Sequence, residues 1–349
     1  MKSSRELVIN GTDLSFGEGQ HQVRTRGLSR WKISRKGKSW TVKSLSVSQS
    51  DVSLDSKSLR VQGSFLRDIN GTLPSMLELR SASGLSFDLI ASLSLRDYLI
   101  GVVAHEMPPQ WPLETLKAQS VAARSYTLRT REERKSKPWH VEATIEDQVF
   151  RDPSMRADLE SVRKAVRETD GILLLDPKRR TLKAFYHADC GGRTVASQSV
   201  WGGGVDTGTA IDPQCPSGPG GRWTYRIKAK DFLNRLEAGG QRLMGLESLT
   251  AGAGGRAEKF RLRLPARTVE LNANELRLKV GSTQLKSTRF VMQQNGDELV
   301  FKGQGFGHGV GLCQWGSRHL GQHGLTFEKI LAHYYPKALI EHRDLTASF

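Results

Sequence analysis

Glu106 stands in the segment Leu95-Arg-Asp-Tyr-Leu-Ile-Gly-Val-Val-Ala-His-Glu-Met-Pro-Pro-Gln-Trp-Pro. Leu95, Leu99, Val102 and Glu106 are 4, 3 and 4 residues apart, so they share one stripe of a helix. An acidic residue at the end of an apolar stripe faces a core or a cleft rather than water. Two prolines stop the helix and Trp111 follows. A half-buried carboxyl beside an aromatic is suited to general-acid work. A structural Glu paired with an Arg or a helix N-terminus would give the same pattern. His105 points about 100° away on the same helix and is read as a solvent-facing or supporting residue.

A second signal is Gly303-Gln-Gly-Phe-Gly-His-Gly-Val-Gly-Leu-Cys-Gln-Trp-Gly316. Backbone this bare turns tightly or comes very close to something. His308, Gln314 and Trp315 supply hydrogen-bonding and stacking groups suited to a sugar. No Gly-Lys-Ser/Thr ending is present, which argues against a phosphate loop. A plain structural turn is the competing reading.

The third signal is Phe185-Tyr-His-Ala-Asp-Cys-Gly-Gly-Arg193, with Cys215 downstream. His187 and Cys190 are three residues apart, a spacing that can place both on one metal with Cys215. Cys190 and Cys215 could instead form a disulfide closing a surface loop. Cys313 is read as filling the Gly-rich turn. Gln119, Ser125 and Tyr126 lie on the helix after Pro112 and are candidate substrate contacts, with core packing the alternative for Tyr126. No second catalytic carboxylate stands out, although ordinary glycosidases use two. Asp147, Asp152 and Asp189 are the candidates. There is no Gly-x-Ser-x-Gly elbow and no His-Glu-x-x-His zinc helix.

These residues need a scaffold, and 349 residues suffice for about two domains. Lys and Arg number 52 against 36 Asp and Glu, a formal charge of +16 that favours polyanionic partners. The basic residues are scattered and aromatics make up 7%, so nucleic acid is not favoured. No apolar run approaches the roughly 20 residues that span a bilayer. The first residues, Met-Lys-Ser-Ser-Arg-Glu-Leu, show no signal-peptide core. Three cysteines are too few for a disulfide scaffold, and the odd count leaves one over.

The fold class expected is α+β: a mixed, β-rich core with a helical catalytic segment and a β-rich N-terminal region. Residues 1–90 read as strands and turns, with Asn70-Gly71 a hairpin signal. Ser94 and Asp97 form a capping box opening the Glu106 helix. Helices are expected over residues 113–134, 155–168 and 326–335. Phe260-Arg-Leu-Arg-Leu, Leu276-Arg-Leu-Lys-Val and Leu299-Val-Phe read as strands. Residues 91–342 form the expected catalytic domain, with 201–255 a Gly/Pro-rich loop insertion and 343–349 a tail.

Together the motifs resemble the stage II sporulation protein D family of peptidoglycan enzymes. The pieces that match are residues 95–108, Trp111-Pro-Leu-Glu-Thr-Leu-Lys-Ala-Gln-Ser-Val-Ala-Ala-Arg-Ser-Tyr126, Phe185-Tyr-His-Ala-Asp-Cys-Gly-Gly-Arg-Thr194, residues 303–316 and Ile330-Leu-Ala-His-Tyr-Tyr-Pro336. The resemblance spans about residues 60–342. It implies lytic transglycosylase action on glycan strands, preferably free of stem peptides, with Glu106 as the one catalytic residue. It implies export to the cell envelope, and zinc held by Cys and His near the cleft in some members. One branch acts as an enhancer of cell-wall amidases, which is the alternative, non-catalytic reading. His105 and Leu312-Cys-Gln-Trp-Gly316 depart from the commoner family pattern. The chemistry implied needs no cofactor and no second carboxylate, because no water is added. Expected partners are peptidoglycan strands and a cell-wall amidase. A structural zinc at His187, Cys190 and Cys215 is the cofactor to test.

Overall fold

The computed structural model describes residues 5–17, 22–46, 51–82, 85–154, 156–213, 215, 218, 221–249 and 252–345. The chain divides into two compact units. One comprises Met1–Pro109 and Arg131–Arg167, the other Gln110–Thr130 and Glu168–Phe349. The expected boundary near residue 90 falls inside the first unit. Helices and sheets are mixed throughout, as the α+β expectation has it.

Nine strands of the first unit form one antiparallel sheet: β1 (Glu6–Phe16), β2 (Val23–Arg24), β3 (Leu28–Lys36), β4 (Ser39–Ser44), β5 (Val52–Asp55), β6 (Ser58–Asp68), β7 (Gly71–Thr72), β8 (Met76–Ser81) and β9 (Phe87–Ile90). The order is β5-β4-β3-β1-β6-β8-β9, with β2 added to β1 and β7 to β6. Alternation explains it. On β3, Ser29, Trp31 and Ile33 are buried, and on β4 Trp40 and Val42 are. Trp31, Ile33, Trp40 and Val42 meet Ile9, Phe16, Leu59, Val61 and Phe87 in one core. The Asn70-Gly71 hairpin is present, with Asp68 paired to Gly71. Three helices follow in sequence: α1 (Leu95–Glu106) and α3 (Glu160–Glu168) go with the first unit, and α2 (Leu113–Glu133) goes with the second through Thr130. The start expected for α3, Met155, lies outside the described residues.

The second unit continues with β10 (Ile172–Leu175), β11 (Tyr186–His187), α4 (Ser197–Trp201), β12 (Arg222–Lys228), α5 (Ala229–Arg235), β13 (Gly245–Ser248), β14 (Lys259–Arg263) and β15 (Thr268–Asn272). Then come α6 (Ala273–Val280), β16 (Phe290–Asn295), β17 (Glu298–Gln304), β18 (Leu312–Cys313), α7 (Gln314–Gln322), α8 (Phe327–Tyr334) and β19 (Leu339–His342). Strand β11 runs parallel to β18, and two three-stranded sheets, β12-β17-β16 and β13-β14-β15, enclose a core around Phe232, Phe260, Leu276 and Phe301. Residues 201–255, expected as a loop insertion, thus hold β12, α5 and β13.

Leu276-Arg-Leu-Lys-Val is helical, not the strand expected. The Asn272 side chain accepts the N–H groups of Asn274 and Glu275, starting α6. Leu276 and Val280, four apart, face the core while Leu278 is exposed. Apolar residues at every second position fit either period, and the cap decides.

Candidate functional site

Glu106 ends α1. The Ser94 hydroxyl accepts the Asp97 N–H at 3.1 Å, so Ser94 caps the helix as expected, while the Asp97 carboxylate takes the Ser94 hydroxyl proton at 2.7 Å in place of the backbone N–H of a full capping box. Tyr98 to Ala104 are all buried, and Glu106 is half-buried at the end of the stripe. Met107, extended at φ −136°, breaks the helix before the prolines.

Residues 147–151 lie against this helix within the same unit. Tyr98 stacks on Phe150 with ring centres 5.4 Å apart, and its hydroxyl donates to Gln148 Oε1 at 3.2 Å. Gly101 permits the approach: a Cβ there would lie 2.6 Å from the Arg151 carbonyl oxygen. The Asp147 carboxylate accepts from the Arg134 guanidinium at 3.1 Å and from the Glu142 N–H at 2.7 Å. Arg156 donates to the Ala104 carbonyl at 2.9 Å. These ties bring the Val149 N–H to Glu106 Oε1 at 3.2 Å. A carboxyl oriented in this way can donate a proton and take one back. Asp147, considered above as a second carboxylate, has a side chain 1% exposed and engaged in its ion pair. Asp152 accepts the Ser154 N–H at 2.8 Å.

The second unit gathers the remaining candidates. His187 pairs with Cys313 across β11 and β18. The Cys190 N–H donates to Cys313 Sγ at 3.2 Å, as does the Gly316 N–H at 3.4 Å, and the Gly192 N–H donates to Cys190 Sγ at 3.2 Å. Cys215 Sγ lies 3.7 Å from Cys313 Sγ. Hydrogen bonds from the Cys215 and Cys313 thiols pull the Cys190 thiol far below its ordinary value, whereas Cys215 and Cys313 are pushed up. All three cysteines are free, and one ligand atom from each, with one from Asp189, fall within 4.8 Å of one another. Cys313 therefore belongs to this cluster, where sequence reading gave it a packing role.

This donor set fits zinc. With Zn–S bonds of about 2.3 Å, tetrahedral geometry puts sulfurs about 3.8 Å apart, close to the Cys215–Cys313 separation. Nδ1 of His187 sits 3.1 Å from the Val310 carbonyl, while its buried Nε2 has no partner. That is how a metal-binding imidazole is usually held. Asp189 accepts the Gly191 and Gly218 N–H groups at 2.7 and 3.0 Å, and burial raises its pKa.

The Gly-rich loop covers the cluster. Gly305, Gly307, Gly309 and Gly311 all have positive φ, between 69° and 103°. A Cβ on Gly311 would overlap the Phe185 carbonyl oxygen, and one on Gly309 would lie 2.7 Å from the Arg256 guanidinium. Arg256 is 2% exposed and donates to the carbonyls of Gly307, Cys190 and Asp189 at 2.9, 3.2 and 3.4 Å. Burial lowers its pKa to about 10.

His308 accepts the Val310 N–H on Nδ1 at 3.0 Å, and burial holds its pKa well below the usual value, so the ring is neutral. It belongs to a chain of rings. Tyr126 meets Phe185 at 5.6 Å, Phe185 stacks on Trp201 at 4.3 Å, and His308 lies 5.1 Å from Trp201 and 5.5 Å from His187. Tyr126, His187 and His308 are thus brought together. Trp201, 42% exposed, is the member that sequence reading passed over; a lone Trp before three glycines was its only signal.

Gln119 is fully buried, and neither atom of its amide has a partner, an arrangement that calls for a ligand or a water. Ser125 is spent internally: its hydroxyl donates to the Val121 carbonyl at 2.8 Å and accepts the Leu174 N–H at 2.9 Å. Gln314 is buried at the first position of α7.

Residues 83–175 match the family model described as Stage II sporulation protein, and residues 221–311 match one described as a domain of unknown function. The chain therefore carries a stage II sporulation protein domain, and that segment includes Glu106, Gln119, Ser125 and Tyr126. Among its relatives is an uncharacterised protein of Brachyspira hyodysenteriae, 28% identical over 253 residues that make up 71% of this chain and 66% of that protein. The stage II sporulation protein D of Bacillus amyloliquefaciens is 27% identical, covering 73% of this chain and 76% of its own. An amidase enhancer of Bacillus subtilis is 25% identical, covering 68% of this chain and 39% of its own. These kinships support a role related to the cell wall. Among the described residues, no helix is long and apolar enough to cross a membrane.

Proposed function

We propose that this protein is a peptidoglycan lytic transglycosylase of the cell envelope, cleaving the bond between N-acetylmuramic acid and N-acetylglucosamine in strands without stem peptides. One observation carries the reading: Glu106, half-buried at the end of an apolar helix, is held by the Val149 N–H. Protonated Glu106 gives its proton to the glycosidic oxygen as the C1–O bond breaks. The neighbouring acetamido group stabilises the oxocarbenium-like centre. The Glu106 carboxylate then removes the proton of the muramic 6-hydroxyl, O6 bonds to C1, and a 1,6-anhydro ring closes. One carboxyl serves as acid and then as base, so no second carboxylate and no water are required. Gln119, Tyr126, His187, His308 and Gln314 of the second unit contact the strand. The buried, unpartnered Gln119 amide supports this; Ser125, with both its bonds internal, serves the backbone.

Cys190, Cys215 and Cys313 hold a structural zinc, with His187 or Asp189 as fourth donor. Bound there, the metal ties three distant segments together and takes no part in proton transfer. Metal analysis of the purified protein should find about one zinc per chain, and Cys313→Ser should lose it; a metal-free protein with a Cys190–Cys215 disulfide would contradict this.

The amidase-enhancer kinship favours a second reading, stimulation of a cell-wall amidase without cleavage. Digestion of peptide-free strands by the wild type and by Glu106→Gln separates the two. Anhydro-ended fragments from the wild type alone support the lyase. Amidase stimulation that survives Glu106→Gln, with no fragments from either protein, supports the enhancer.

A further inference from the structure

The sheet β12-β17-β16 presents an open cavity of about 560 Å³, within the segment matched as a domain of unknown function. Arg222 pairs with Gln304, while Thr224 and Val291 both pair with Lys302. Strand alternation puts these five side chains on one face, opposite the face that carries Phe301 into the core. Arg222, Thr224 and Lys302 are exposed, as is Val291 at 65%. Arg289, also lining the cavity, donates to the Gly191 carbonyl.

Four other cations of this segment have acidic partners. Arg226 is paired with Glu298 at 2.8 Å, Arg261 with Glu270 at 3.1 Å, Arg263 with Glu247 at 2.9 Å and Lys279 with Glu275 at 3.4 Å. Arg222, Arg289 and Lys302 have no acidic partner among the described residues, and no acidic side chain lines the cavity. Sheets commonly set opposite charges across from one another. Here the cross-strand partners are an amide, a hydroxyl and an isopropyl group. Three cations around one neutral, polar trough make a receptor for carboxylates, the guanidinium groups by bidentate hydrogen bonds.

We propose that this trough binds the lactyl carboxylates of N-acetylmuramic acid, which are free only where the stem peptide has been removed. The inference rests on the glycan-strand reading given above and names the feature of the strand that is recognised. In a strand with stem peptides the same carboxyl is an amide, without charge, and the carboxylates that remain lie out along the peptide rather than on the sugar.

The test is strand binding in the Glu106→Gln background, so that cleavage does not intervene. Peptide-free strands are compared with the same strands methylamidated at the lactyl carboxyl. Arg222→Gln with Lys302→Gln should weaken binding of the unmodified strand about tenfold, two exposed charge contacts together. It should leave binding of the amidated strand unchanged. Thr224→Lys should tighten only the unmodified strand. The proposal is overturned if both strands bind alike, if the double variant binds as the parent does, or if a glycerol phosphate polymer outcompetes the lactyl strand. Anhydro products, assayed separately on the protein with Glu106 intact, keep the two readings apart. Selective binding without products removes the lyase and leaves the trough; equal product formation from amidated strands removes the trough and leaves the lyase.

Discussion

In the first unit, Glu106 is positioned by segments near it in sequence: its own helix and residues 134–156, which fold back on it through Arg134, Gln148 and Arg156. In the second unit, the thiol cluster draws on Cys190, Cys215 and Cys313, and Cys190 donates its N–H to a sulfur 123 residues away. A reactive carboxyl needs one partner and a half-dry setting, which a helix and a loop can supply. A metal-type centre needs several donors at fixed distances, and those have to be collected from separate strands and turns. The Gly-rich loop and buried Arg256 are what the second arrangement requires.

This contrast can be broken most forcefully at Gly311. Its φ of +69° and its contact with the Phe185 carbonyl leave no room for a Cβ, so Gly311→Ala should cost about 3 kcal/mol or more. Thermal unfolding with metal analysis would check it; a stable variant with full metal content would show that the loop is not what holds the cluster.

The corresponding break in the first unit is Arg134→Ala. It leaves the Asp147 carboxylate without its guanidinium but still with the Glu142 N–H, and the Arg134 side chain is itself 32% exposed, so the loss should be about 2 kcal/mol, that of a hydrogen bond to a charged group. Denaturant unfolding should register this, and cleavage should fall as Val149 loses its position. Unchanged activity would detach the 147–151 segment from Glu106.

Gly101→Ala is comparable. The added methyl meets Arg151 and the Phe150 ring, and overpacking of this kind costs about 1–3 kcal/mol. Activity should drop by more than stability alone explains, which a comparison of turnover at saturating substrate with unfolding would reveal. Ser94→Ala should be smallest, about 1 kcal/mol for the lost cap, with turnover nearly intact because the cap lies at the far end of the helix from Glu106.

The same contrast decides what could be read from the chain. Helices α1 and α2, the Ser94 cap, the Asn70-Gly71 hairpin and the half-burial of Glu106 all follow from residues a few positions apart, where period and capping chemistry operate. Cys313 could not be assigned, since its partners come from elsewhere in the chain and a cysteine among glycines looks like packing. Trp201 carries no periodic signal. Gln119 reads from the sequence as a candidate substrate contact, but only the packing of α2 shows that its amide is buried without a partner. The α6 segment failed for a local reason, as Leu276, Leu278 and Val280 suit a strand until the Asn272 cap is weighed.

The central claim is that one carboxyl both opens the glycosidic bond and closes the ring. Mass spectrometry of peptide-free strands, digested in water enriched in the heavy oxygen isotope, tests it most directly. The account predicts 1,6-anhydro ends that contain no solvent oxygen, with the rate lowered by about 10² to 10⁴ in Glu106→Gln. Reducing ends carrying the heavy isotope would mean hydrolysis, and equal rates for the two proteins would mean that Glu106 is not the acid.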